Sequence, residues 1–327
     1  VIILQRNLID YAAKMNLLAY SSSDFEDHIG LLVGTTRLPA DRARTTIKFT
    51  LSTALPNATE IPVGIRVTPG DGNIYFATAE TLTIPAGETE GEVLALCLVT
   101  GTAGNGFLPG QINRPVDPLP YVQSVANTTT SEGGADIEDD ESFRDRIHLA
   151  PEHFSVAGPK GAYEFWAKTA NAGIVDVQVL GPEDGTDPGE VKIYPLMQGG
   201  IIPGEEILDL VYDTVSAGDI RPDTDHVFVL PPEVVTYDAD VTYWIDRTNA
   251  TRATAIQTAV NMAFADWIVW QASKLGRDIN PSELNHRLVA AGAKRTEIRT
   301  PEFAELLKYQ VGKIGTQNLV YGGLEDG

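Results

Sequence analysis

The chain has 327 residues, 43 % of them apolar and 8 % aromatic, enough for two or three domains with real cores and too apolar for a disordered polymer. With 24 basic against 45 acidic residues its formal net charge is −21. Such a surface repels phosphate backbones and anionic headgroups, so neither nucleic acid nor a membrane is expected as a partner, although solubility alone also accounts for the charge.

No apolar run approaches the ~18 residues that a membrane-spanning helix needs. The single cysteine, Cys97, lies in the apolar run Val93–Val99 and reads as a small buried hydrophobe. One cysteine forms no intrachain disulfide, which suits assembly in a reducing cytoplasm. The chain opens without Met and without a signal-peptide pattern, and its start reads as trimmed.

Residues 1–20 are predicted to form a helix. Val1, Leu4, Leu8, Tyr11, Met15 and Leu18 alternate at spacings of three and four, the seam of a coiled coil. Ile2, Ile3, Ile9, Leu17 and Tyr20 widen the apolar surface beyond one seam, which favours an intermolecular bundle over a helix packed on its own domain. Arg6, Asp10 and Lys14 stand four apart and can pair weakly.

Over 40–130 the pattern changes to strands. Ile47, Phe49 and Leu51 alternate with Lys48 and Thr50. Ile61-Pro62-Val63-Gly64 and Ile84-Pro85-Ala86-Gly87 form a quasi-repeat of tight turns, because Pro fixes φ and Gly tolerates positive φ. Asp71-Gly72 signals a hairpin. The run 93–99, apolar on both faces, is expected as a central strand. Residues 100–130, rich in Gly, Pro and Asn, read as a long loop or linker, and Thr128–Gly134 as a second flexible stretch.

A helix over 136–150 is predicted with Asp136 as N-cap, Glu138, Asp139 and Asp140 in its first turn, and Asp140 paired with Arg144. Gly158-Pro159 starts another helix through Tyr163, Phe165, Trp166 and Ala170. Residues 174–180 and 191–196 read as strands, 205–216 as a helix, and 227–230 and 234–245 as strands, which suits a small mixed sheet covered by helices. A long helix over 249–275 carries Ile256, Val260, Ala263, Trp267 and Trp270 at three/four spacing, with Gly276 at C′. Asn280-Pro281-Ser282-Glu283 starts the next helix as N-cap, N1 and N3. Residues 295–327 read as short strand or turn material.

Motifs for chemistry are missing. There is no phosphate loop and no nucleophile elbow, and Gly104-x-Gly106 lacks the third glycine and the helix that a dinucleotide site requires. One cysteine rules out a thiolate zinc site. His148 and His153, with Glu152, are separated by Pro151 and do not share a helix face. The acidic run from Asp136 to Glu141 lacks the glycine and ligand spacing of an EF-hand. No catalytic, cofactor or metal residue is assigned, and the chain is not read as an enzyme.

Several stretches stand in a fixed order along nearly the whole chain: Asn16–Tyr20 with Leu31–Ala40; the Ile-Pro-x-Gly phrases with Phe76-Ala77-Thr78; and Gly101–Gly106 leading to Pro109–Asn113. The densest part is Gly133-Gly-Ala-Asp136, Arg144-x-Arg146-Ile147, Ala150-Pro151 and Ala157-Gly158-Pro159-x-Gly161-Ala162-Tyr163. Arg221-Pro222-x-Thr224-Asp225 and Trp270-Gln271 with Leu275-Gly276-Arg277 continue it. Together they resemble the baseplate J-like family of contractile-tailed phages, tailocins and related injection particles. The resemblance implies a structural wedge protein without catalytic residues. Its partners would be a second copy of itself, another wedge protein joined through a helical bundle, and sheath-initiator or hub-proximal baseplate proteins. Six wedges would ring the tail hub and rearrange on firing, in a virion tail assembled in the host cytoplasm.

The expected fold is a multidomain α+β chain. It divides into a bundle segment (1–39), a β-rich domain with an internal quasi-repeat (40–130), a helical and mixed α/β domain (131–235) and a C-terminal α/β oligomerisation domain (236–327). The seam Val1, Leu4, Leu8, Tyr11, Met15 and Leu18 is the expected interface, with Trp267 and Trp270 as a C-terminal one. A β-rich surface or fibre-like binding module is the rival reading, and a cell-wall hydrolase a third.

Overall fold

A computed structural model describes residues 2–154, 158–218 and 220–326. It is α+β. Helices α1 (Ile2–Met15) and α2 (Asp24–Leu32) precede strands β1 (Arg42–Leu51), β2 (Thr59–Ile61), β3 (Arg66–Thr68), β4 (Phe76–Thr78), β5 (Leu82–Ile84), β6 (Glu90–Thr100), β7 (Arg114–Pro115) and β8 (Val122–Asn127). Then come α3 (Asp140–Leu149), α4 (Lys160–Thr169), β9 (Ile174–Leu180), β10 (Glu190–Met197), α5 (Glu205–Val215), β11 (His226–Val229), β12 (Glu233–Asp246), α6 (Ala253–Ala272), α7 (Pro281–Ala290), β13 (Arg295–Thr300) and β14 (Gln310–Glu325). Two compact units result. The first holds the residues up to Ile174, Val179–Lys192 and Pro203–Val229; the second holds Val175–Gln178, Ile193–Ile202 and the residues from Leu230 on.

In the first unit, a six-stranded sheet of order β7-β3-β4-β6-β1-β8 curls until its edge strands β7 and β8 approach one another, a nearly closed barrel. Alternation drives it: along β1, Ala43, Thr45, Ile47, Phe49 and Leu51 are buried while the residues between them are not. Ile61, Phe76, Ile84, Val93 and Cys97 fill the same core. The strands before the two Ile-Pro-x-Gly phrases pair with each other, Ile61 with Leu82 and Thr59 with Ile84, and Gly64 and Gly87 take φ of 86° and 87°. The Asp71 carboxylate accepts from the amides of Asn73 and Ile74 and closes the β3–β4 connection. β6 is an interior strand as expected, but only Val93, Ala95 and Cys97 are buried; Leu98 and Val99 are exposed.

The Gly- and Pro-rich segment 100–130 is not a linker. β7 and β8 belong to the barrel sheet, and Ile112 is fully buried. The buried Asn127 organises the segment: its Oδ1 accepts from the Ile112 amide at 2.8 Å, and its Nδ2 donates to the carbonyls of Thr129 at 2.7 Å and Leu108 at 3.0 Å. Thr128–Gly134 is not a flexible connector either. It runs against the start of β1 through Arg44–Glu132 and Asp41–Ala135 bridges, with Ser131 buried and donating to the Gly104 carbonyl.

The predicted helix at 136–150 begins later, at Asp140. Its N-cap is Asp139, not Asp136, and the Asp139 carboxylate accepts from the Ser142 amide at 2.8 Å. Glu138 is drawn inside by Arg146 and plays no part in the first turn. α4 starts after Pro159 as expected. β9, β10 and β11 form a three-stranded sheet of order β11-β10-β9.

In the second unit, β12 is the middle strand of the order β13-β12-β14, antiparallel to β13 and parallel to β14. Its inward residues Tyr237, Ala239, Val241, Tyr243 and Ile245 meet Val260, Phe264 and Trp267 of α6 and Leu284 and Leu288 of α7. The long helix starts at Ala253, because residues 247–252 form a 3-10 turn led by Asp246. Gly276 is left-handed, but it lies beyond the helix end and its amide donates to the Gln310 carbonyl. The Asn280 cap of α7 is present, donated to by the Ser282 amide. The C-terminal stretch is not short strand or turn material: β14 runs for 16 residues.

Candidate protein interface

α1 is apolar and open. Ile2 is 81 % exposed, Leu4 65 % and Leu8 58 %; Ile3, Ile9 and Tyr11 are exposed with them, and Met15 is the only buried residue of the helix. The expected seam therefore divides. The division runs along the helix and not around it: Leu4, Leu8 and Tyr11 are exposed, while Met15, on the same stripe, is buried and Leu18 half-buried, and Val1 lies outside the described residues. Asp10 and Lys14 pair at 2.8 Å on the helix surface, as their spacing predicts. Leu17, Tyr20, Phe25, Leu31 and Leu32 extend the exposed apolar surface through the turn and along α2. Monomeric soluble proteins rarely expose contiguous apolar patches of this kind.

A charged mount fixes this surface to the barrel unit. Arg144 on α3 donates to the carbonyls of Leu18 and Ser21 at 2.9 and 2.8 Å, which holds the turn after α1 in place. The same guanidinium lies 3.0 Å from the Glu26 carboxylate of α2, and Arg37 lies 3.7 Å from it; neither contact is aligned as a hydrogen bond. Glu26 is fully buried. Burial pushes its carboxyl above the ordinary range, and Arg144 pulls it part of the way back. Arg37 also pairs with Asp27 and with Asp140 and lies over the Phe143 ring at 4.8 Å. The sequence pattern pairs Asp140 with Arg144; in the fold Asp140 goes to Arg37 and Arg144 to Glu26, because buried long-range partners outcompete an exposed neighbour one turn away. Gly30 permits the close approach of α2 and α3, since a Cβ there would stand 2.6 Å from Phe143. Tyr11 meets Phe25 edge to face, with ring centroids 6.3 Å apart.

Sequence reasoning missed Glu26, Arg37 and the true role of Arg144. The one available signal was Arg144-x-Arg146 opposite an acidic α2.

The C-terminal candidates separate as well. Trp267 is fully buried against Tyr237 and Phe264, so it serves the core of its own unit and offers nothing to another chain. Trp270 is half-buried, with the guanidinium groups of Arg277 and Arg287 stacked on its ring at 3.9 and 4.5 Å. The open face of α6 carries Met262, Ala265 and Val269 instead. His153 stacks on Phe165. Among the described residues no three His, Cys, Asp or Glu side chains converge on a site for a metal ion, and no helix is long and apolar enough to cross a membrane.

The barrel and the region after it match known domains. Residues 46–134 match the Baseplate J-like protein barrel domain, and residues 155–231 match the Baseplate J-like central domain. The chain belongs to the baseplate J-like family. Among similar proteins, baseplate protein J of Escherichia phage P2 is 29 % identical over 169 residues, which cover 50 % of this chain and 53 % of that protein. The uncharacterized protein YqbT of Bacillus subtilis (strain 168) is 26 % identical over 157 residues, covering 47 % and 38 %. The chain thus spans about half the length of these relatives, or less. A cryo-EM structure of the anti-feeding prophage (AFP) baseplate, 6-fold symmetrised, overlaps 86 % of this chain and 78 % of its own at a TM-score of 0.37 and 13 % identity. That superposition is too loose to bear on function. The barrel match runs from residue 46, within β1, through β8 and the central match covers α4 to β11; α1, α2, α3 and the chain from β12 onward lie outside both.

Proposed function

We propose that this protein is a structural component of a contractile-tail baseplate, resident in the virion tail and assembled in the host cytoplasm. Copies associate with one another and with a second wedge protein through a bundle built around α1, and the wedges close into a ring around the hub that rearranges on firing and triggers sheath contraction. In this reading the segments 1–39, 40–130, 131–235 and 236–327 act as bundle, barrel, α/β connector and oligomerisation part, and no part catalyses a reaction. The observation that carries the proposal is the open apolar surface of α1 on a rigid charged mount. Family membership supplies the setting.

The test places charge at the exposed Leu4 and Leu8 and leaves the buried Met15 intact. Leu4→Glu with Leu8→Glu, co-expressed with the neighbouring tail gene products, should abolish co-purification with them. The circular dichroism and thermal midpoint of the isolated chain should not change. Normal particle assembly by this variant would overturn the proposal.

A further inference from the structure

β14 is the outermost strand of its sheet. β12 occupies its inner edge along Gln310–Glu325, and among the described residues no strand occupies the outer one. An edge of this length leaves a row of backbone N–H and C=O groups free to pair, and native edges are usually guarded by charge, proline or shortness. This one has no proline and two charged residues, Lys313 and Glu325.

Two features of the strand share one centre. The first is charge: Lys313 and Glu325, of opposite sign, lie equally far from Leu319. The second is the pair of register shifts against β12, one between Ile314 and Gln317 and the other between Tyr321 and Leu324, again placed symmetrically about Leu319. Both irregular stretches hold glycine, Gly315 in the first and Gly322 with Gly323 in the second. Antiparallel self-pairing about Leu319 therefore sets bulge against bulge and Lys313 against Glu325, with Gln317–Tyr321 forming a regular segment between. Self-pairing registers centred on Lys313 or Glu325 would oppose like charges. Lys313 has no carboxylate partner in its own chain among the described residues, and Glu325, which holds Arg295 at 2.9 Å, has acceptor capacity left for it.

We propose that the outer edge of β14 pairs with the same edge of a second copy about a two-fold axis at Leu319, making one sheet continuous across two copies. This interface does not involve α1 and is tested without it.

The experiment uses the full chain carrying Leu4→Glu and Leu8→Glu, so that α1 cannot join copies. In sedimentation equilibrium this chain should dimerise. Lys313→Glu in the same background should raise the dimer dissociation constant at least fivefold at low salt, with the difference shrinking as salt is added. Leu319→Cys should give a disulfide-linked dimer under mild oxidation, whereas Gln310→Cys, which this register carries far from the same position of the other copy, should not; Cys97 is fully buried and silent. A monomer at every soluble concentration, indifference to Lys313→Glu, or equal linking through position 310 would each overturn the proposal. None of these results bears on the α1 bundle.

Discussion

Replacing Arg146 is expected to unfold the first unit's helical layer more than any other single change in it. The guanidinium is 3 % exposed and the Glu138 carboxylate 2 %. Two parallel bonds join them, at 2.6 and 2.7 Å, and Arg146 also donates to the Thr36 carbonyl at 2.6 Å and to the hydroxyls of Thr35 and Thr169. Glu138 in turn accepts from the Leu38 amide at 2.9 Å. The segment 35–38 is thus tied to α3 and α4 through one cation. Arg146→Ala leaves a buried carboxylate with a single amide donor, and breaking a buried pair in this way costs about 3–5 kcal/mol. Arg146→Lys keeps the charge but cannot make both parallel bonds, so about half that loss is expected. Arg146→Met combined with Glu138→Leu removes both charges and should recover part of the stability, the rest being lost with the partners of the Leu38 amide and the Thr36 carbonyl. Native-state hydrogen exchange on peptides spanning 136–150 reads the first unit without interference from the second. A loss under about 1 kcal/mol for Arg146→Ala, or a double variant as damaged as the single one, would refute the reasoning.

Two further outcomes follow from buried polar groups. Asn127→Ala removes the acceptor of the Ile112 amide and two short donations to carbonyls, and at about 1–3 kcal/mol for a group left unsatisfied it should lower barrel stability by about 3 kcal/mol in urea titration. Glu132 accepts from the Gly204 and Ile207 amides at the start of α5, yet burial, with Glu206 nearby, holds its carboxyl above the ordinary range. Its folded value exceeds its unfolded one, so its stabilising contribution is complete below the ordinary carboxylate range and is lost as pH rises through the raised folded value. Glu132→Gln keeps one acceptor, for the shorter bond from the Gly204 amide, and removes the charge, so the fall in urea midpoint between about pH 4 and about pH 7 should shrink.

The parts of the fold that were legible are those held by local pattern. β1 declared itself by alternation, the two Ile-Pro-x-Gly turns by their residue types, and α7 by its Asn280-Pro281 start. What stayed hidden depends on partners far along the chain. Residues 100–134 look like linker because their glycines and prolines carry no period; they are held by Asn127 and Ser131 bonds to distant carbonyls. β14 escaped because Gly312, Gly315, Gly322 and Gly323 interrupt any alternation and its partner β12 lies a helix pair away in sequence. In the candidate interface the period of α1 was readable, and where along its length the stripe becomes covered was not. Arg144 fixes the turn after α1 by gripping the Leu18 and Ser21 carbonyls, and only the Met15 end of the stripe is buried. Trp267 misled because α6 is apolar all round, and such a helix does not announce which face its own unit claims.

The spread of apolar residues around α1 also decides how many neighbours it requires. At about 100° per residue, Leu4, Leu8 and Tyr11 form one stripe, and Ile2 and Ile9 fall roughly 150° away from it on the far side. A single partner helix covers one stripe and leaves the other in water. Fully burying a Leu or Ile contributes about 1.5–3 kcal/mol, so one stripe alone barely offsets the 4–15 kcal/mol or so that association costs. Covering both stripes roughly doubles the gain, and this requires helices on two opposite sides. A bundle of three chains meets that requirement where a simple pair does not. The mount makes the choice sharper, because Arg37 and Arg144 fix α2 and the turn against α3 and so leave α1 little freedom to fold back and cover itself.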